Sequence, residues 1–179
     1  MGQLLTHTSG LPAWRPLYIE AEDRAGVLRA IAGQPLVSAP GTRVLYSDLG
    51  FITLGLLIER LAGTTLSEVA RREIFSPLKL KRTFFNPEQA LQTETAACEL
   101  GNGFEREMCQ GLKIKDWANW REHILWGEVH DGNAHFLGGA AGHAGLFSTA
   151  RETLSIARQF LPQSTELLAP RRARSFAPT

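Results

Sequence analysis

A mostly helical chain with a few short strands is the fold class this sequence predicts, and three observations carry it. The stretch 49–62 is apolar on nearly every side and ends at Gly63, the pattern of a buried helix with a glycine stop. Two capping boxes, Thr65-Leu-Ser-Glu68 and Thr149-Ala-Arg-Glu152, each open a further helix. A threonine hydroxyl and a glutamate three residues on satisfy the free amides of a first turn. Strand-like runs are short, at 42–46 and 124–129. A chain of 179 residues is one ordinary domain by length and can bury a real core.

Taken in order, Leu4 and Leu5 read as the tail of a helix, followed by a hydroxyl-rich turn over 6–12 with Gly10 and Pro12 as stops. A short helix is expected over 22–32, with Leu28 and Ile31 on its inner face and Gly33 ending it. Residues 35–41 are loop and 42–46 extended. The apolar helix over 49–62 is capped by Ser47 or Asp48. The helix opened by Thr65 runs to about Phe75 and stops before Pro77. Residues 81–120 are polar and irregular, broken by Gly101, Gly103 and Gly111. After the strand at 124–129, Leu154, Ala157 and Leu161 follow Thr149 at helical spacing until Pro162, and 167–175 is at best a short final helix.

Composition narrows the function classes. The chain is 44% hydrophobic and 21% charged, with no disordered tract, and 19 basic against 18 acidic residues leave a net charge of +1. Nothing here suggests a nucleic-acid partner, and Arg171-Arg-Ala-Arg174 reads as a solvated or helix-ending face. No apolar run is long enough for a membrane span, and no basic-then-apolar signal pattern opens the sequence. Cys98 and Cys109 fit either one disulfide or two separate thiols.

Three segments carry chemistry. Tyr46-Ser-Asp48 places a phenol and a carboxylate two residues apart at the mouth of the apolar helix. Leu4-Leu-Thr-His-Thr-Ser-Gly-Leu-Pro12 precedes it, and Gly138-Gly-Ala-Ala-Gly-His-Ala-Gly-Leu-Phe-Ser-Thr-Ala150 follows. His130, Asp131, His135 and His143 raise a zinc site. Their spacings lack the i, i+4 histidine pair of a helical zinc motif, however, and the glycines between them suit a close-packed loop. The one Ser-x-x-Lys match, Ser76-Pro-Leu-Lys79, ends a helix where a nucleophile of that pattern would begin one. No serine has a convincing activated setting.

Together the three segments resemble the serine beta-lactamase and penicillin-binding-protein-like hydrolases, most nearly the class C beta-lactamase and esterase branch. The resemblance implies an α+β fold of the beta-lactamase/DD-peptidase kind, of which residues 1–179 are a partial domain, mostly its helical subdomain with a few short strands. The nucleophile segment of the family is expected upstream of Leu4 and its third motif downstream of Thr179. His143-Ala-Gly145 has the pattern of that third motif but not its position, and is read as part of the glycine-rich loop.

By the same resemblance Tyr46 is the proton-transfer residue and Asp48 the group that orients the catalytic lysine. Tyr46-Ser-Asp48 stands where the family has Tyr-x-Asn, and the departure matters. An ionised carboxylate only accepts hydrogen bonds, so it suits an ammonium better than a substrate carbonyl. His7 is expected to be structural, as the family's equivalent segment is. Neither a metal nor another cofactor is implied.

The expected substrate is a small molecule or peptide with an amide or ester carbonyl (a beta-lactam, a D-alanyl peptide or a small acyl ester), attacked through an acyl-enzyme. A periplasmic or extracytoplasmic parent is implied. The chain alone is expected to be inactive. The alternative of a different class is a non-catalytic helical module that binds a peptidoglycan-like peptide or a protein partner.

Overall fold

The computed structural model describes residues 1–114, 117–161 and 163–167. Its centre is α4 (Asp48–Ala62), whose N-cap is Ser47, accepting from the Gly50 N–H. Gly63 ends the helix in the left-handed region at φ 67°, where a Cβ would be strained. Leu49, Ile52 and Leu56 are buried at helical spacing and pack with Leu17, Val27, Ile31 and Leu137 into one core. Each such side chain contributes about 1.5–3 kcal/mol by leaving water. Burial fails toward the far end of α4, where Ile58 is exposed and Leu61 is 77% exposed.

Around α4 lie α1 (Gly2–Leu5), α2 (Leu17–Glu20) and α3 (Arg24–Ala32). Asp23 caps α3 by accepting from Gly26 N–H at 2.6 Å, so the helix starts two residues later than the sequence suggests. That start buries Val27 with Ile31, four residues on, and leaves Leu28 exposed, a correction to the face expected from Leu28. Thr65 and Glu68 form a full capping box at the start of α5 (Leu66–Ala70). The helix then continues to Phe75 as a π-helical turn, Arg71–Phe75. Phe75 is buried there, its ring 6.4 Å from that of Phe85.

The irregular stretch 81–120 contains more structure than its composition suggests: β1 (Phe84–Phe85), β2 (Ala97–Leu100) and α6 (Gly103–Gly111), with a 3-10 turn over Gln89–Glu94. β2 pairs antiparallel with β3 (Ile124–Trp126), which covers only the first half of the expected strand. Residues 42–46 form no strand. β1 pairs antiparallel with β4 (Leu146–Phe147), Phe84 opposite Phe147.

A two-residue ladder is not stable alone, and it is clamped from α8 (Ala150–Ala157) by Glu152. That carboxylate accepts from the backbone N–H of Lys81 and Arg82 and from the Thr83 hydroxyl. Thr149 caps α8 as expected, accepting from Glu152 N–H, but the Glu152 side chain serves the neighbouring turn and does not close the box. Leu154, Ala157 and Leu161, which recur at helical spacing, are exposed. The arginine cluster at 171–174 and most of the suggested helix at 167–175 lie outside the described residues.

Among the described residues no single helix is long and apolar enough to cross a membrane. α4 and the helix after it reach that length only together, across a 79° bend. Both cysteines are free thiols, Cys98 exposed and Cys109 buried.

Candidate active site

Tyr46, Ser47 and Asp48 are held at the start of α4 by the turn over 7–13. Leu45 N–H donates to the His7 carbonyl at 2.8 Å and Asp48 N–H to the Ala13 carbonyl at 2.9 Å. Ser47 N–H donates to His7 Nδ1 at 3.0 Å, and Ser47 Oγ donates to the Pro12 carbonyl at 2.7 Å. His7 sits at φ 55°, and its ring packs 4.7 Å from that of Tyr46 and 5.0 Å from that of Phe51. Its Nδ1 is an acceptor in this arrangement, so His7 shapes the turn that presents Tyr46.

Tyr46 is 62% exposed, with its ring at the protein surface. The hydrogen bond to Asp48, then that carboxylate's charge, raise the phenol above its ordinary pKa. A phenolate is therefore disfavoured unless a cation joins the pair. Burial raises the Asp48 carboxyl and Asp131 adds repulsion, while His143, Tyr46 and His7 work to lower it.

The third segment folds back onto this pair. Asp131 caps α7 (Gly132–Phe136), accepting from Ala134 N–H at 2.7 Å, and its same oxygen meets His143 Nε2 at 2.9 Å. Burial penalises the Asp131 charge. The His143 hydrogen bond and charge, with the Ala134 N–H, outweigh that and hold its pKa below the ordinary value. One polar atom from each of Asp48, Asp131 and His143 lies within 4.8 Å of the others.

The remaining histidines are elsewhere: His130 Nε2 lies 2.7 Å from Glu99 and His135 Nδ1 3.8 Å from Glu128. The three imidazoles thus face three different carboxylates and do not converge on one ion. The sequence groups Asp131 with His143 only as members of a candidate zinc cluster; the structure brings these two together beside Asp48 and leaves His130 and His135 apart.

Each residue after His130 has a local reason. Gly132 admits no Cβ, which would run into the Glu105 carboxylate and lie 2.6 Å from a Tyr18 ring carbon. Asn133 accepts from Leu17 N–H and donates to the Arg15 carbonyl. Arg121 holds the loop leading in, donating to the carbonyls of Val129 and His130 and to Asn102. A cavity of about 250 Å³ lies alongside, lined by Tyr18, Asn102, Glu105, Trp117, Arg121 and His135.

Glu105 is buried there, accepting from Tyr18 Oη at 2.7 Å and from Gly132 N–H at 2.7 Å. Burial raises its pKa from the ordinary 4.5, against the pull of those two donors. The folded state therefore binds more protons than the unfolded chain above pH 4.5. Stability falls as pH rises through that window to the raised value. Glu105→Gln keeps an acceptor for Gly132 and removes the titration. Urea midpoints at pH 5 and pH 8 should differ less for the variant than for the wild type; equal differences would show that Glu105 carries no such linkage.

The fold and the site define a class: an α+β arrangement in which a tyrosine and an acidic residue stand at the mouth of a buried helix, faced by a glycine-rich loop. A family model described as Beta-lactamase matches residues 1–178. The chain is 35% identical over 159 residues to an Escherichia coli K12 protein provisionally named a D-alanyl-D-alanine carboxypeptidase, covering 83% of this chain and 35% of that one. It is 33% identical over 158 residues to an N-acetylmuramyl-L-alanine amidase of Bacillus subtilis 168, covering 82% of this chain and 34% of that one.

A crystal structure of a beta-lactamase/D-alanine carboxypeptidase from Yersinia pestis, complexed with citrate, superposes over 97% of this chain and 42% of that one. Its TM-score is 0.62, with 21% sequence identity; that likeness concerns the fold. The chain belongs to the beta-lactamase family, the serine beta-lactamase and penicillin-binding-protein-like hydrolases. It spans about a third of the length of the curated relatives it matches.

Proposed function

We propose that this chain is part of a serine hydrolase that attacks an amide or ester carbonyl through an acyl-enzyme. The carbonyl belongs to a beta-lactam, a D-alanyl peptide or a small acyl ester, and Tyr46 and Asp48 form one wall of the active site. The observation that carries the reading is the placement of Tyr46 and Asp48 on either side of the Ser47 cap of α4, close enough for the Asp48 carboxylate to raise the Tyr46 phenol. Relatives named as a D-alanyl-D-alanine carboxypeptidase and an N-acetylmuramyl-L-alanine amidase support an amide of a D-alanyl peptide or of a muramyl-L-alanine as the bond attacked.

The chemistry follows from the charges. Asp48 alone makes Tyr46 a poorer base, because a phenolate beside a carboxylate is repelled. An ammonium placed against both reverses the sign: Asp48 accepts its hydrogen bond, and its charge favours the phenolate. Tyr46 then takes the proton of an attacking serine hydroxyl and returns it to the leaving group. The serine and ammonium belong to a Ser-x-x-Lys segment. The single match, at Ser76, follows the π-helical turn as its C-cap, and Lys79 sits at φ 56° in the turn beyond. That serine lacks the helix-start setting that puts hydroxyl and ammonium on one face.

Two measurements test the reading. The 179-residue chain alone should not hydrolyse a chromogenic cephalosporin or nitrophenyl acetate. Turnover that disappears on Tyr46→Phe would overturn that expectation. In the chain's full reading frame, Tyr46→Phe should lower kcat on a D-alanyl-D-alanine peptide or a muramyl-L-alanine amide by about 10²–10⁴, the usual share of a proton-transfer residue. An unchanged kcat removes Tyr46 from the mechanism.

A further inference from the structure

We propose that His143, locked by Asp131, is a positioning residue for Asp48: its ring holds the Asp48 carboxylate in the charged form that accepts a cation beside Tyr46. The proposal rests on the reading of Tyr46 and Asp48 as site residues and adds the group that makes an aspartate workable at that position.

Replacing a neutral amide by a carboxylate beside a second carboxylate is costly. Two like charges a few ångströms apart disfavour each other's ionised forms, and partial burial adds to the cost. Asp48 and Asp131 are such a pair, each within 4.8 Å of the His143 ring at one polar atom. An imidazolium placed there favours the charged form of both. His143 is well placed to do so because it cannot move away. Its side chain is 3% exposed, and Nε2 is bonded to an Asp131 oxygen that α7 also fixes through Ala134 N–H.

The backbone beneath is fixed as well. Gly142, the residue before His143, lies against the Phe51 carbonyl, three residues along α4 from Asp48. His143 Nδ1 is buried without a hydrogen-bond partner, so the ring is held through its other nitrogen, Nε2, by Asp131.

The groups that share this field are Tyr46 and His7 beside Asp48, and His130 beside Asp131, with Glu105 behind it. None of them is hydrogen-bonded to the His143 ring as Asp131 is. Among the described residues, His143 offers a ring nitrogen within 4.8 Å of a carboxylate oxygen of each aspartate.

The test reads titration rather than turnover, so its failure is distinct from failure of the proposed hydrolase chemistry. Side-chain carboxyl carbon NMR on the full chain follows Asp48, assigned by its loss in Asp48→Asn. In His143→Gln, which keeps a donor for Asp131 and removes the charge, the Asp48 midpoint should rise by at least about one pH unit. If it titrates as in the wild type, His143 only fills space and the proposal is wrong.

Should His143→Gln fail to fold, His143→Asn is read in the same way, and the Asp48 midpoint should again rise. A midpoint unmoved from wild type would overturn the proposal equally.

Discussion

Gly142→Ala is expected to cost about 3 kcal/mol of stability and to lower Tm by about 10 °C for a chain of this size. A methyl group at this position would overlap the Phe51 carbonyl oxygen and lie 2.9 Å from its carbon and 3.0 Å from Gly55 N. All three are backbone atoms of α4, so no side chain can turn aside to make room. Gly55 shows the same contact from the helix side, where a Cβ would meet Gly142 N at 2.8 Å. Two glycines facing each other let a loop lie directly on a helix. Relief requires the loop to lift, and His143 lifts with it. A thermal melt checks the size of the effect; a Tm within 2–3 °C of wild type, a change of roughly 1 kcal/mol, would mean that the loop yields cheaply.

Asn133→Ala should be comparably severe, about 3 kcal/mol. Asn133 is 1% exposed and serves two backbone groups at once: Oδ1 accepts from Leu17 N–H at 2.8 Å, and Nδ2 donates to the Arg15 carbonyl at 2.9 Å. Alanine leaves both without partners where water does not reach. Asn133→Asp separates the two roles. An ionised carboxylate still accepts from Leu17 but repels the Arg15 carbonyl, whereas the protonated acid donates to it.

The folded state of Asn133→Asp therefore favours the proton, and its carboxyl pKa lies above that of the unfolded chain. The variant should be most stable at low pH and lose stability as pH rises through the raised value. Urea denaturation across pH 4–8 reads this directly. A flat difference from wild type would show that the Arg15 contact contributes little.

How much was legible in the sequence depended on whether the cause was local. The Ser47 cap, the Gly63 stop, the apolar run between them and the Thr65–Glu68 box are each written within a few residues, and each is in the structure. Local readings failed where a distant partner decided. Leu28 has the composition of a core residue, but the Asp23 cap sets a helix phase that turns it outward. β1 is two residues long and exists because Glu152 gathers the turn before it and Phe147 lies opposite.

The candidate site divides in the same way. Tyr46 and Asp48 stand out because they are two residues apart at a helix start. Asp131 and His143 are twelve residues apart, across a short helix and a glycine loop, and no periodicity brings them together. Their segments were legible as unusual, but their contact was not.

The Asn133 bond to Leu17 N–H joins residues 116 apart in the chain, and this has a kinetic consequence. Closing so long a stretch costs entropy before any contact repays it. The contacts that present Tyr46 close a shorter stretch, 40 residues from His7 to Ser47 and 35 from Pro12 to Ser47, and can form earlier. The wall that Asp131 and His143 supply must wait for the distant segment to arrive. Tyr46 is therefore presented first, and the groups that give its surroundings their charge are assembled last.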